Sequence, residues 1–237
     1  MNLPLNTSAN ISDPVAQARY NMIEQQIRPW NVLDADVLDL LAVVRREDFV
    51  PPAYRSMAFM DIEVPLLGND AEEVVRKGHS MLQPRVEARI LQDLRILPTD
   101  RVLEIGAGSG YMAALLAARA ERVVSLEIEP ELAEMARENL RDAGVQNADV
   151  RQGDGARDAI PDGPFDVIVL SGSVAEVPSH LLALLRDGGR LGAIVGSEPV
   201  MRFTVTRRTG DRFETTSPWD TIAPRLVNFP EPSGFTF

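Results

Sequence analysis

One stretch limits the architecture of this chain more than any other: Val102-Leu-Glu-Ile-Gly106-Ala-Gly108-Ser-Gly110-Tyr111. A short apolar run meets three glycines on alternate positions and passes directly into a helical pattern. Glycine lets the backbone turn sharply and lets a ligand come against main-chain N–H groups at the start of the next helix. A dinucleotide fingerprint, G-x-G-x-x-G, would carry its third glycine one position later, where this chain has Tyr111. The pattern is therefore not that fingerprint.

The flanking sequence predicts what this loop belongs to. Short apolar strands are expected at 101–105, 122–127, 148–152, 165–170 and 189–195, with helices at 111–119, 131–143 and 180–185. Strands that alternate with helices and are apolar on both faces form a parallel sheet covered on both sides. Residues 202–207 and 212–216 alternate across Thr209-Gly210-Asp211, which predicts an antiparallel hairpin at the edge. The fold class is thus α/β: a doubly wound, mostly parallel, seven-stranded sheet with an antiparallel C-terminal edge. Ahead of it, Asp13 and Pro14 start a helix that runs to Ile27 and ends at Arg28-Pro29-Trp30, and a second helix starts at Asp34. Residues 1–12 read as polar and loose, and 49–68 as loop with short extended pieces. Asn69–Lys77 is a charged excursion, after which Gln83-Pro84 opens a helix to Leu94. The division expected is a helical N-terminal region over 1–95 and an α/β domain over 96–237.

Composition removes several functions. A net charge of −11 without any Lys/Arg run disfavours nucleic acid, which needs a basic stripe to neutralise phosphates. There is no cysteine and there are two histidines, His79 and His180, so neither a thiolate nor a histidine metal site is expected. No apolar segment reaches membrane-spanning length, and the first residues lack the pattern of a signal peptide. The expectation is a soluble, cytoplasmic protein with no metal.

The loop's own pattern, Glu104-x-Gly106-x-Gly108-x-Gly110, resembles the first motif of the class I, Rossmann-like S-adenosylmethionine-dependent methyltransferases. That ligand carries an ammonium, a carboxylate, a sulfonium, a ribose and an adenine, and no pyrophosphate. Glu127 ends the second strand, 21 residues after Gly106, where a carboxylate can accept both ribose hydroxyls. Asp154, in Gly153-Asp-Gly155, stands where such enzymes set a side chain against the adenine amino group, and Ser171 ends the fourth strand. All lie at carboxyl ends of expected strands, where open α/β sheets bind ligands. Singly, Glu127 also reads as a solvated strand end and Asp154-Gly155 as a plain turn. Trp30 and Trp219 read as packing residues.

Further motifs narrow the resemblance. Met22-Ile-Glu-Gln-Gln-Ile-Arg28, Phe49-Val-Pro51, Ala58-Phe-Met-Asp61 and Pro65-Leu66 precede the glycine loop, and Pro164-Phe-Asp166, Val177-Pro178 and Gly188-Gly-Arg-Leu191 follow it. In this order they resemble the protein-L-isoaspartate O-methyltransferase family from about Met22 to Arg208. The resemblance implies methyl transfer from S-adenosylmethionine to the carboxyl of L-isoaspartyl residues in damaged proteins or peptides, with S-adenosylhomocysteine as product. It also makes 96–237 the cofactor-binding domain and puts the substrate-side lid within 1–95. A carboxylate of ordinary pKa, near 4, is already ionised and needs no general base. What remains is alignment and exclusion of water.

The acceptor side departs from the family. Its G-x-x-T-I-S-x-P loop becomes Gly78-His79-Ser80-Met81-Leu82-Gln83-Pro84, with leucine in place of the characteristic serine. His79 and Ser80 are the candidates for the catalytic side of the site. Met81, Leu82, Glu104, Gly106, Gly108, Gly110, Glu127, Asp154, Gly155 and Ser171 are the candidates for the cofactor side. Ser80 also reads as a cap for the following helix, and His79 as a surface histidine. Two alternatives accompany the principal expectation: a family member with another methyl acceptor, and a protein that binds S-adenosylmethionine without isoaspartyl methyltransferase activity.

Overall fold

A computed structural model describes residues 13–68, 73–74 and 77–231. The loose segment expected at 1–12 lies outside those residues, as does most of the charged excursion at 69–77. The protein is built on a seven-stranded sheet of order β5-β4-β3-β6-β7-β8-β9. These strands are β3 (Arg101–Ile105), β4 (Arg122–Glu127), β5 (Ala148–Gln152), β6 (Phe165–Val174), β7 (Leu185–Ser197), β8 (Val200–Thr209) and β9 (Arg212–Asp220). β3 to β7 pair in parallel, and β8 and β9 run antiparallel at one edge. A separate two-stranded ribbon joins β1 (Val64–Pro65) to β2 (Ser80–Met81).

Side chains alternate across the sheet, as the two-residue period of a strand requires. Val102, Val123 and Val167 join the core of one face, while Leu103, Val124 and Ile168 join the core of the other. The first face carries α1 (Pro14–Met22), α2 (Ala35–Val43), α3 (Pro84–Leu94), α4 (Tyr111–Ala117) and α5 (Pro130–Asp142). Its core runs without a break from Met22 to Ala223. The second face is covered by the short α6 (Ser179–Leu182) and by the C-terminal residues Leu226 and Phe229.

The helices begin where their capping residues place them. Asp13 accepts a hydrogen bond from the Val15 N–H, and Asp34 accepts from those of Asp36 and Val37. Beyond Met22 the first helix loosens into a π-helical turn over Ile23–Ile27 and a 3-10 turn over Arg28–Trp30. Within the stretch expected as loop, Pro52–Phe59 is 3-10 helix, preceded by a 3-10 turn over Arg46–Phe49, while Val64–Pro65 is a short extended piece as expected. Pro52 sits at the first helical position there, where its preset φ and missing N–H cost nothing. β6 also runs beyond its expected end at 170, to Val174. The cause is the C-terminal segment: the Ser173 N–H donates to the Pro224 carbonyl, and the Leu226 N–H to that of Ser173.

Candidate active site

β3 leads to the crossover through α4 on one side, and β6 starts the crossover to β7 on the other. The chain therefore reverses its direction of winding between β3 and β6, and a crevice opens above their carboxyl ends. A cleft of about 270 Å3 lies there, lined by residues from Gly106, Gly108, Glu127, Asp154 and Ser171 to Ser80 and Phe229.

The glycine loop is held by the neighbouring strand. The Gly106 and Ala107 N–H groups both donate to the Leu126 carbonyl, at 2.8 and 3.3 Å. Gly110 has φ +82°, and a Cβ there would lie 3.1 Å from the Ala136 carbonyl of α5. Only glycine meets both the left-handed backbone and this close helix approach. Gly155 is needed for space alone, since a Cβ would come within 2.5 Å of Ile105.

Glu127 is buried and faces the cleft. Its carboxylate accepts from the Gly108 N–H at 2.8 Å and the Glu129 N–H at 3.0 Å. Burial raises its pKa, and these backbone hydrogen bonds pull it back. It is therefore not a solvated strand end. Asp154 forms the turn and also lines the cleft. Oδ1 accepts from the Ala156 N–H to close a turn, and Oδ2 accepts from Asn228 Nδ2, while the residue still lines the cleft. Glu104 lies beneath the loop, fully buried and off the cleft lining. Ser125 Oγ donates to one of its oxygens at 2.6 Å and Ser171 Oγ to the other at 2.8 Å. Burial pushes its carboxyl up to about 7.

His79 lines the cleft with Nε2 3.9 Å from Glu129 Oε2. Ser80 does not cap α3: its hydroxyl donates to Glu63 Oε2 at 3.2 Å, and the helix starts at Gln83 without a side-chain cap. Met81 and Leu82 are buried in the core of the first sheet face, away from the cleft lining. The Leu82 carbonyl accepts from Arg46 Nη2 at 2.6 Å, and Arg46, fully buried, pairs with Glu87 on α3.

Two cleft residues escaped the sequence reading. Phe229 forms an apolar wall and stacks on His180, whose Nε2 lies 3.2 Å from the Gly155 carbonyl. Arg225 is anchored through Nη2 to the Gly196 carbonyl and through Nε to Glu231, while its Nη1 is buried without a hydrogen-bond partner among the described residues. Both belong to an irregular segment with no periodicity, so only the pairing of that segment with β6 reveals their place.

A family model described as Protein-L-isoaspartate(D-aspartate) O-methyltransferase matches residues 17–222. A Methanoculleus marisnigri protein-L-isoaspartate O-methyltransferase is 38% identical over 204 residues, covering 86% of this chain and 89% of that protein. A counterpart from Koribacter versatilis is 36% identical over 198 residues, covering 84% and 85%. A Plasmodium falciparum crystal structure assigned to the same activity, in complex with S-adenosyl-L-homocysteine, superposes with a TM-score of 0.73 at 18% identity. It covers 88% of this chain and 97% of that one, which establishes the likeness of fold.

Proposed function

Because the chain belongs to the protein-L-isoaspartate O-methyltransferase family, we propose that the cleft above β3, β4 and β6 presents S-adenosylmethionine to the carboxyl of an L-isoaspartyl residue. The chain is an S-adenosylmethionine-dependent O-methyltransferase, and its substrates are isoaspartyl residues of damaged proteins. The observation that carries the assignment of residues is Glu127, a carboxylate tied to the glycine loop through the Gly108 N–H and facing the same cleft as Asp154.

The residues present fit this cofactor. Glu127 takes the ribose hydroxyls, Asp154 the adenine amino group, and Leu126, Leu132 and Phe229 supply apolar walls for the ring. Gly106 and Gly108 leave the methionine end free to approach the backbone, and Glu104 holds the loop from below through Ser171. When bound, S-adenosylmethionine supplies a methyl group already activated by its sulfonium. The protein's part is to exclude water and to align an acceptor that is ionised at neutral pH.

Alignment of the acceptor needs a hydrogen-bond donor, and Leu82 provides none. The single hydroxyl proton of Ser80 is already given to Glu63. Arg225 lines the cleft, and its Nη1, buried, has no hydrogen-bond partner among the described residues; a guanidinium turned toward the cleft is well matched to a carboxylate. Arg225, with His79 in the same lining, is the acceptor-side group of this reading. The reading further takes the cytoplasm as its compartment and, on the net charge of −11, excludes nucleic acid as a partner.

The test is incubation with methyl-labelled S-adenosylmethionine and an isoaspartyl peptide beside its aspartyl twin. Base-labile label on the isoaspartyl peptide alone is the expected result. Arg225→Gln should then raise KM for the peptide about tenfold or more, the cost of one charge-assisted hydrogen bond. Cofactor binding without any ester would point to another acceptor, and absence of cofactor binding would overturn the residue assignments.

A further inference from the structure

A second cavity, of about 320 Å3, opens beside the first and is used by nothing in the mechanism above. It is lined by Trp30, by Arg85 and Arg89 of α3, by Val200 and Met201 at the start of β8, and by Trp219 to Ile222 at the end of β9. Arg85 and Arg89 are four residues apart and so share one face of α3. Each guanidinium lies on an indole: Arg85 is 4.1 Å from the Trp30 ring centre, and Arg89 is 4.7 Å from that of Trp219.

The two arginines differ in their compensation. Arg85 donates to Asp61 at 2.8 Å. Arg89 makes no ion pair within 4 Å among the described residues, the charge of Asp93 reaching it from farther off, and its Nε is buried without a hydrogen-bond partner. The carboxylate closest to it along the helix, Asp93, accepts instead from the Trp219 indole N–H at 2.7 Å. Asp220, the acidic residue in the lining, pairs with Arg202 at 3.0 Å. Arg89 is thus a guanidinium without a close ion pair on a protein of net charge −11: burial lowers its pKa, and the charge of Asp93 offsets part of that.

Its position relates it to the acceptor. Arg225 of the first cleft donates to the Gly196 carbonyl at 2.9 Å and to Ser197 Oγ at 3.3 Å, and Ser197 leads into Glu198. Glu198 is followed by Pro199 and Val200, which line the second cavity. The β7–β8 turn therefore stands between the two cavities, and a polypeptide with one residue in the cleft can reach over it. A single carboxylate fits a partly buried guanidinium between apolar rings, whereas a polyanion would meet the surrounding negative charge.

We propose that the Trp30–Arg85–Arg89–Trp219 cavity binds an acidic side chain of the polypeptide substrate, close in sequence to the residue that is methylated. The inference rests on the acceptor being a polypeptide, as the preceding reading has it. It assigns the cavity a role in substrate choice: damaged sites flanked by Asp or Glu are favoured over those flanked by neutral residues.

The chain contains two tryptophans, and both line this cavity, so intrinsic fluorescence reports its occupancy. An Asp-containing peptide without any isoaspartyl group should shift or quench the emission saturably, and its Asn twin should bind about tenfold more weakly. Arg89→Gln should bring the acidic peptide down to the level of the neutral one, and Arg89→Lys should restore part of the difference. Calorimetric binding of S-adenosylmethionine shows whether each variant is folded. Equal responses to both peptides, or an Arg89→Gln variant that still discriminates between them, would overturn the proposal. Discrimination by fluorescence in a protein that forms no isoaspartyl ester leaves this cavity standing and removes the reaction assigned above.

Discussion

Glu127 joins structure and chemistry at one carboxylate. Its two oxygens accept from the Gly108 and Glu129 N–H groups, so a residue that lines the cleft also shapes the glycine loop beside it. Glu127→Gln keeps the size and removes the charge, weakening hydrogen bonds worth about 1.5–3 kcal/mol each when one partner is charged. The expected outcome is a ten- to hundredfold rise, roughly, in the Kd for S-adenosylmethionine, measured by calorimetry. An unchanged Kd would remove Glu127 from the binding site. Residues of this kind are legible in a sequence because strand ends mark them: Glu127 and Asp154 each follow an apolar run whose carboxyl end must face the crevice. Arg225 and Phe229 follow no such run. They reach the cleft because backbone pairing at Ser173 draws the C-terminal segment across β6, a contact between residues about fifty positions apart that no local pattern encodes.

At the scale of elements, Arg46 is the link between the N-terminal helices and the sheet. It lies in a 3-10 turn, fully buried, and bonds the Leu82 carbonyl and Glu87 while its guanidinium sits 5.2 Å from the Tyr111 ring centre. One side chain therefore ties together the acceptor loop, α3 and the helix that follows the glycines. Arg46→Met leaves Glu87 buried without its partner, which costs about 3–5 kcal/mol, readable by urea unfolding. Combining it with Glu87→Met should recover much of the loss, since neither charge is then stranded. A single variant within about 1 kcal/mol of the parent would show that the pair is not a buried ion pair of this kind. The strands and main helices were readable from hydrophobic period alone, and so was the winding of the sheet. The 3-10 segments were not, because Phe49-Val-Pro-Pro offers no period and its shape depends on contacts such as those of Arg46. The place of the loop ahead of α3 was legible, but not its geometry: Leu82 turns into the core, and Ser80 turns to Glu63.

For the molecule as a whole, the consequence of burying Glu104 is a stability that depends on pH. In the unfolded chain this carboxyl releases its proton near the ordinary 4.5, whereas in the folded protein burial holds it to about 7. Between those values the folded state carries a proton that the unfolded state has lost. Its contribution is therefore complete below about 4.5 and disappears as pH rises through 7. Burial also raises Glu127, with the same sign. Glu47 and Asp162 are lowered by hydrogen bonds from Arg19 and Arg151, so their contributions are lost only as pH falls below the ordinary carboxylate range. Repulsion within a chain of charge −11 grows in the same direction as the Glu104 effect but is nearly the same in any single variant. Glu104→Gln keeps the shape and both serine partners while removing the titration. From pH 5 to 8 the unfolding free energy of the parent should fall more steeply than that of Glu104→Gln, by on the order of 3 kcal/mol over the interval. Urea unfolding at pH 5, 6, 7 and 8 on both proteins measures the difference, and parallel slopes would mean that Glu104 is charged in the folded protein throughout this range. In that case the glycine loop would follow a buried carboxylate that only the Ser125 and Ser171 hydroxyls solvate, and a cationic cofactor in the cleft would be held partly by that charge.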